Sequence, residues 1–176
     1  YFRLVLAVFL HFGFRHFIAN MLTLLAFGPI VERTLGTGRF LLTYLLAGIL
    51  GNLLSFLARP DVESVRAGAS GAVLGLIGAL VGARVKRIAA APSRFKTWHV
   101  LAAGTVLYAW IAGTGHADHI AHLGGALGGC LITLLLPGRE HDAAERERRR
   151  SMYYTLLAVT IFLLAVLWRV IGGSGA

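Results

Sequence analysis

Six apolar stretches, at about 16–33, 38–57, 70–84, 97–113, 119–136 and 152–171, recur along this chain with short polar links between them. The hydrocarbon core of a bilayer takes roughly 20 apolar residues per helical crossing. Inside it every backbone N–H and C=O must find a partner within the protein, which a helix provides from a single segment. The pattern therefore predicts an all-α polytopic membrane protein with about six transmembrane helices. Composition agrees, since 57% of the residues are hydrophobic and 14% charged, against about a quarter charged in ordinary soluble domains.

The formal net charge of +9 does not point to nucleic acid, because the basic residues fall in the links between spans. One set of links (Arg33 and Arg39; Arg84, Lys86, Arg87, Arg94 and Lys96; Arg139, Arg146, Arg148, Arg149 and Arg150) carries 12 of the 17 Lys and Arg. Positive charge marks the cytoplasmic side of membrane proteins, so alternation turns the ends bearing Ser70 and His122 outward. The segment from Tyr1 to Arg15 is apolar but short and interrupted by His11 and Gly13, which suits an interfacial or re-entrant piece. Pro29 lies inside the first span, where it removes a backbone donor. Gly36-Thr37-Gly38 reads as a tight turn between two helices. The run 138–151 reads as a solvated, charged cytoplasmic linker to a last helix and tail, 152–176. Cys130 stands alone, which excludes a disulfide within the chain.

Two polar islands interrupt the apolar runs: Gly68-Ala69-Ser70-Gly71 and Ala121-His122-Leu123-Gly124-Gly125. Polar and ionisable groups at membrane depth are costly, and each calls for a partner. Gly71 with Gly75, Gly78 with Gly82, Gly124 with Gly128 and Gly125 with Gly129 form small-residue pairs at spacing four, which let membrane helices approach closely. Packed on these faces, the two helices would bring Ser70 and His122 within hydrogen-bond reach, as nucleophile and base. His16 and Asn20, four residues apart, share one helix face. Both can donate hydrogen bonds, as an oxyanion site needs. The backbone N–H of Ser70, at a helix start, is a further donor.

Taken together in this order on separate spans, His16-x-x-x-Asn20, Gly68-x-Ser70-Gly71 and Ala121-His122-x-Gly124-Gly125 resemble the rhomboid intramembrane serine proteases. Phe2-Arg3 resembles the Trp-Arg pair of that family's first outer loop, and Glu32, Arg33 and Leu35-Gly36 its charged close of the second core helix. The resemblance runs from Phe2 to about Leu136, with Leu74 standing where the family often has an aromatic beneath the histidine. It implies a core over 1–137, a first core helix upstream that this chain lacks, and an extra C-terminal helix.

The resemblance also implies a Ser70–His122 dyad without a third acidic member, Asp118 having no triad role. It implies an oxyanion and substrate-binding site from His16, Asn20 and Gly68, and cleavage of transmembrane segments of other membrane proteins. No cofactor, metal or nucleic acid is called for; the partners are transmembrane substrates and the lipid bilayer. The location expected is a bacterial plasma membrane, with the site toward the outside. The loop from Gly113 to Asp118 is the expected lid. An inactive rhomboid-like protein that binds transmembrane clients is the alternative, and intact Ser70 and His122 weigh against it. A channel or transporter is disfavoured by the lack of an internal repeat and of a carboxylate at any span centre.

Overall fold

The computed structural model describes residues 2–11, 13–60, 69–86, 102, 105–106, 109, 113, 118–137 and 144–172. Their elements are all helical: α1 (Phe2–Leu6), a single 3-10 turn (Ala7–Phe9), α2 (Gly13–Leu35), α3 (Thr37–Ala58), α4 (Ser70–Val85), α5 (His119–Leu135) and α6 (Ala144–Gly172). By length and apolar content α2 and α3 can each cross a bilayer, while α4 and α5 are apolar but shorter. The span expected at 97–113 falls mostly outside the described residues, as do Gly68 and most of the expected lid.

The short α4 is the centre of the bundle. Thirteen of its residues, from Ser70 to Ala83, are buried, and α2, α3 and α5 pack around it. A helix shielded on all sides has no lipid to match, so its 16 residues, about 24 Å at 1.5 Å per residue, suffice. Val31 and Leu35 of α2 join Leu76, Ala79, Leu80 and Ala83 of α4 in one apolar cluster, which aligns the ends of these helices away from Ser70. Ser70 lies 13 residues from Ala83, as Leu22 does from Leu35. Counting up from the cluster thus brings Ser70 level with about Leu22 of α2, about half a turn from Asn20 and two to three turns below Gly13.

The segment before α2 does not span. It ends its helical turns at Phe9, buries Ala7 and Val8, and is tied to α3 by the Asn52 side-chain amide, which donates to the Leu4 carbonyl at 3.1 Å. Gly36 alone links α2 to α3 with φ 84°, a left-handed conformation that favours glycine.

The end opposite Ser70 is closed by basic side chains. Arg39, 2% exposed, donates through Nε to the Pro137 carbonyl at 3.1 Å. Its guanidinium grips both carboxylate oxygens of Glu147 and lies 5.3 Å from the Tyr154 ring centroid. Ser151 Oγ accepts the Gly38 N–H at 3.0 Å. Lys86 donates to the carbonyls of Leu134, at 2.9 Å, and Leu136, groups that the end of α5 leaves without partners inside the helix.

These contacts correct one expectation. The charged run 138–151 is not a linker throughout, because α6 begins at Ala144. Its first turns are drawn onto the bundle by Glu147, which the fork of Arg39 satisfies in a buried site.

Candidate active site

Glycine is what lets the helices bearing Ser70 and His122 come close. Where α4 meets α5, a Cβ placed on Gly125 would overlap the Gly71 carbonyl oxygen and lie 2.7 Å from its carbon. One placed on Gly129 would meet the Gly75 carbonyl in the same way, with 2.6 Å to its carbon. The two backbones therefore touch directly, as the paired small residues predict. Ser70 opens α4 and His122 stands in the first turn of α5. At this spacing their side chains meet, with His122 Nε2 2.7 Å from Ser70 Oγ. Both are buried.

Chemically, this is a hydroxyl next to an imidazole in a site shielded from solvent. With the ring proton on Nδ1, Nε2 accepts the serine hydrogen and can take it as the oxygen becomes a nucleophile. Ser70 occupies the first turn of α4, where backbone N–H groups have no partner within the helix.

His16 and Asn20 come in from α2, both buried. The Asn20 amide donates to the His16 carbonyl at 2.8 Å, which uses one of its two N–H groups. Among the described residues its buried Oδ1 has no hydrogen-bond partner, a costly state that a polar ligand or water would relieve. The His16 ring stands edge-on to His11, centroids 5.7 Å apart. It lies close enough to His122 to act on its charge, as do Asp118 and His119. Leu74 is buried in α4, one turn after Ser70.

One part of the site escapes sequence reasoning. Asp118 is the N-cap of α5, its carboxylate accepting the Ala121 N–H at 3.1 Å. The same carboxylate takes hydrogen bonds from Ser55 and Arg59 at the end of α3, and Arg59 also reaches Ser55 Oγ at 3.1 Å. Burial would raise the Asp118 carboxyl, but the Ser55 hydroxyl, the Ala121 N–H and the charges of Arg59 and His122 together hold it below its ordinary value. An Asp just before an apolar helical run is a legible capping signal. Ser55 and Arg59, some sixty residues away in sequence, offer no such clue.

Residues 1–139 match the Rhomboid domain. The chain belongs to the rhomboid family. It is 36% identical over 134 residues to a putative rhomboid protease, YdcA, of Bacillus subtilis (strain 168), an alignment covering 76% of this chain and 66% of that relative. It is 38% identical to the rhomboid protease GluP of the same organism, over 72% of this chain and 24% of the relative. A RHOMBOID-like protein 5 of Arabidopsis thaliana is 32% identical, over 76% and 43% respectively. The chain thus spans between about a quarter and two thirds of the curated relatives it matches. No solved structure matches it. Rhomboid membership makes the helical bundle a polytopic, integral membrane fold. It agrees with the two helices long and apolar enough to cross a bilayer.

Proposed function

We propose that this rhomboid chain carries the active site of a serine endopeptidase that cuts transmembrane segments of other membrane proteins, with Ser70 as nucleophile and His122 as base. The observation that carries the reading is the buried 2.7 Å contact between His122 Nε2 and Ser70 Oγ. It is supported by the names of two relatives, one printed as a rhomboid protease and the other as a putative rhomboid protease.

Ser70 Oγ attacks the substrate's peptide carbonyl carbon while its proton passes to His122 Nε2. The resulting oxyanion is held by the Ser70 N–H, the second N–H of Asn20 and the His16 ring, donors fixed before the charge develops. Collapse breaks the C–N bond, and His122 gives its proton to the departing amine. Water, deprotonated by His122, then releases the acyl group from Ser70 and restores the dyad. Because α4 starts about level with Asn20 rather than with Gly13, this chemistry lies below the first residues of α2. A substrate helix must unwind there, since its scissile carbonyl is otherwise engaged in its own hydrogen bonds. The charge asymmetry of the links supports an orientation with this end of the bundle outside the cytoplasm.

The test uses the full-length protein in detergent, a model transmembrane substrate and a serine-directed fluorophosphonate. Wild type should cleave and label, Ser70→Ala should do neither, and His122→Ala should lose nearly all of both. Cleavage that persists in Ser70→Ala refutes the mechanism.

A further inference from the structure

The distance between Ser70 and His122 depends on where the first turn of α5 sits, and glycine contacts alone do not fix that. Smooth backbone faces permit close approach but leave sliding and rotation weakly opposed. The turn that carries His122 is held by other means. Asp118 precedes it as N-cap, with its carboxylate on the Ala121 N–H at 3.1 Å and its own carbonyl accepting the His122 N–H at 2.9 Å. The carboxylate is in turn fixed from outside the helix: Ser55, fully buried, donates to one oxygen and Arg59 to the other. Ser55 and Arg59 are one turn apart on α3, and Arg59 closes that helix through its N–H to the Ser55 carbonyl at 3.2 Å. A single carboxylate thus joins the last turn of α3 to the first turn of α5.

We propose that Asp118, gripped by Ser55 and Arg59, is the positioning residue that sets His122 against Ser70. Asp118 acts through the helix that bears the base, its carboxylate engaged by Ser55, Arg59 and the Ala121 N–H. The inference rests on the protease reading, and it adds a requirement that the dyad alone does not contain.

Four variants of the full-length protein in detergent, Asp118→Ala, Asp118→Asn, Arg59→Gln and Ser55→Ala, test this with two readouts. The first is kcat and KM on a transmembrane substrate; the second is hydrogen exchange of the backbone amides of 119–124. Asp118→Ala should lower kcat about 10- to 100-fold with KM little changed, the effect of displacing a base by about an ångström. Asp118→Asn, which caps a helix as well as Asp does, should restore kcat to within about threefold of wild type. Arg59→Gln and Ser55→Ala should fall between the two. Exchange at Ala121 and His122 should quicken in Asp118→Ala and stay near wild type in Asp118→Asn. Wild-type kcat in Asp118→Ala, an Asn variant as damaged as the Ala variant, or unchanged exchange each overturns the proposal. If wild type neither cleaves nor labels, the protease reading fails instead, and the exchange data still decide whether Asp118 orders this turn.

Discussion

Gly125→Ala tests the claim that close backbone contact between α4 and α5 is needed for Ser70 and His122 to meet. The added Cβ would overlap the Gly71 carbonyl oxygen and lie 2.7 Å from its carbon and 3.0 Å from its Cα. Carbon atoms rest at about 3.5–4.0 Å, so the helices must separate by roughly 1 Å. The obstacle is backbone, which has no rotamer with which to move aside. Overpacking of this kind costs about 1–3 kcal/mol. Gly125 is three residues from His122 and Gly71 is next to Ser70, so the separation falls on the dyad. It would open the 2.7 Å contact to beyond about 3.5 Å, outside hydrogen-bond range. A displacement of about 1 Å can lower turnover on the order of 100-fold. Two substitutions serve as comparison. At Gly128 the nearest atom is the tip of the Leu50 side chain, at 3.1 Å, and at Gly28 it is the Leu24 side chain at 3.4 Å. The measurement is the rate of fluorophosphonate labelling of Ser70 together with the melting temperature in detergent. The expected order of loss is Gly125→Ala far above Gly128→Ala, with Gly28→Ala unchanged. Wild-type labelling and melting in Gly125→Ala would refute the reasoning.

Other consequences can be measured on the same preparations. Removing one partner of the buried Arg39–Glu147 pair, as in Arg39→Ala or Glu147→Ala, leaves the other charge buried and should destabilise the bundle by about 3–5 kcal/mol. The double variant Arg39→Met/Glu147→Leu should recover much of that in thermal melts, and additive losses would argue against a coupled pair. Asp118 is held below its ordinary carboxylate value, so its contribution to stability is complete above the unfolded pKa and is lost as pH falls through the lower folded one. The melting difference between wild type and Asp118→Asn should therefore hold at neutral pH and shrink below about pH 4; a difference constant down to pH 3 contradicts this. His16→Ala and Asn20→Ala should each lower kcat about 10- to 1,000-fold if they hold the oxyanion, and unchanged turnover would reduce them to packing residues.

Much of the bundle was legible from hydropathy. Apolar runs expected at about 16–33, 38–57 and 119–136 correspond to helices Gly13–Leu35, Thr37–Ala58 and His119–Leu135. Such runs report burial in lipid or protein, which is a local property of each segment. The pairing of Ser70 with His122 was also readable, since the glycines around each could be matched by spacing. The start of α6 was not. A string such as Ala144-Glu145-Arg146-Glu147 looks solvated by composition, and only the approach of Arg39 from the α2–α3 turn makes Glu147 a buried anchor.

By itself, the sequence marked the apolar segments that form α2, α3, α4 and α5 and the residues whose side chains can act as nucleophile, base or hydrogen-bond donor, because apolar length and side-chain type are written into each stretch. The tertiary structure decided which of these groups meet. It placed α4 at the centre, spent one Asn20 N–H on the helix's own carbonyl, and joined Asp118 to Ser55 and Arg59. Those pairings depend on helix register and on charges distant in sequence, and neither has a local signature.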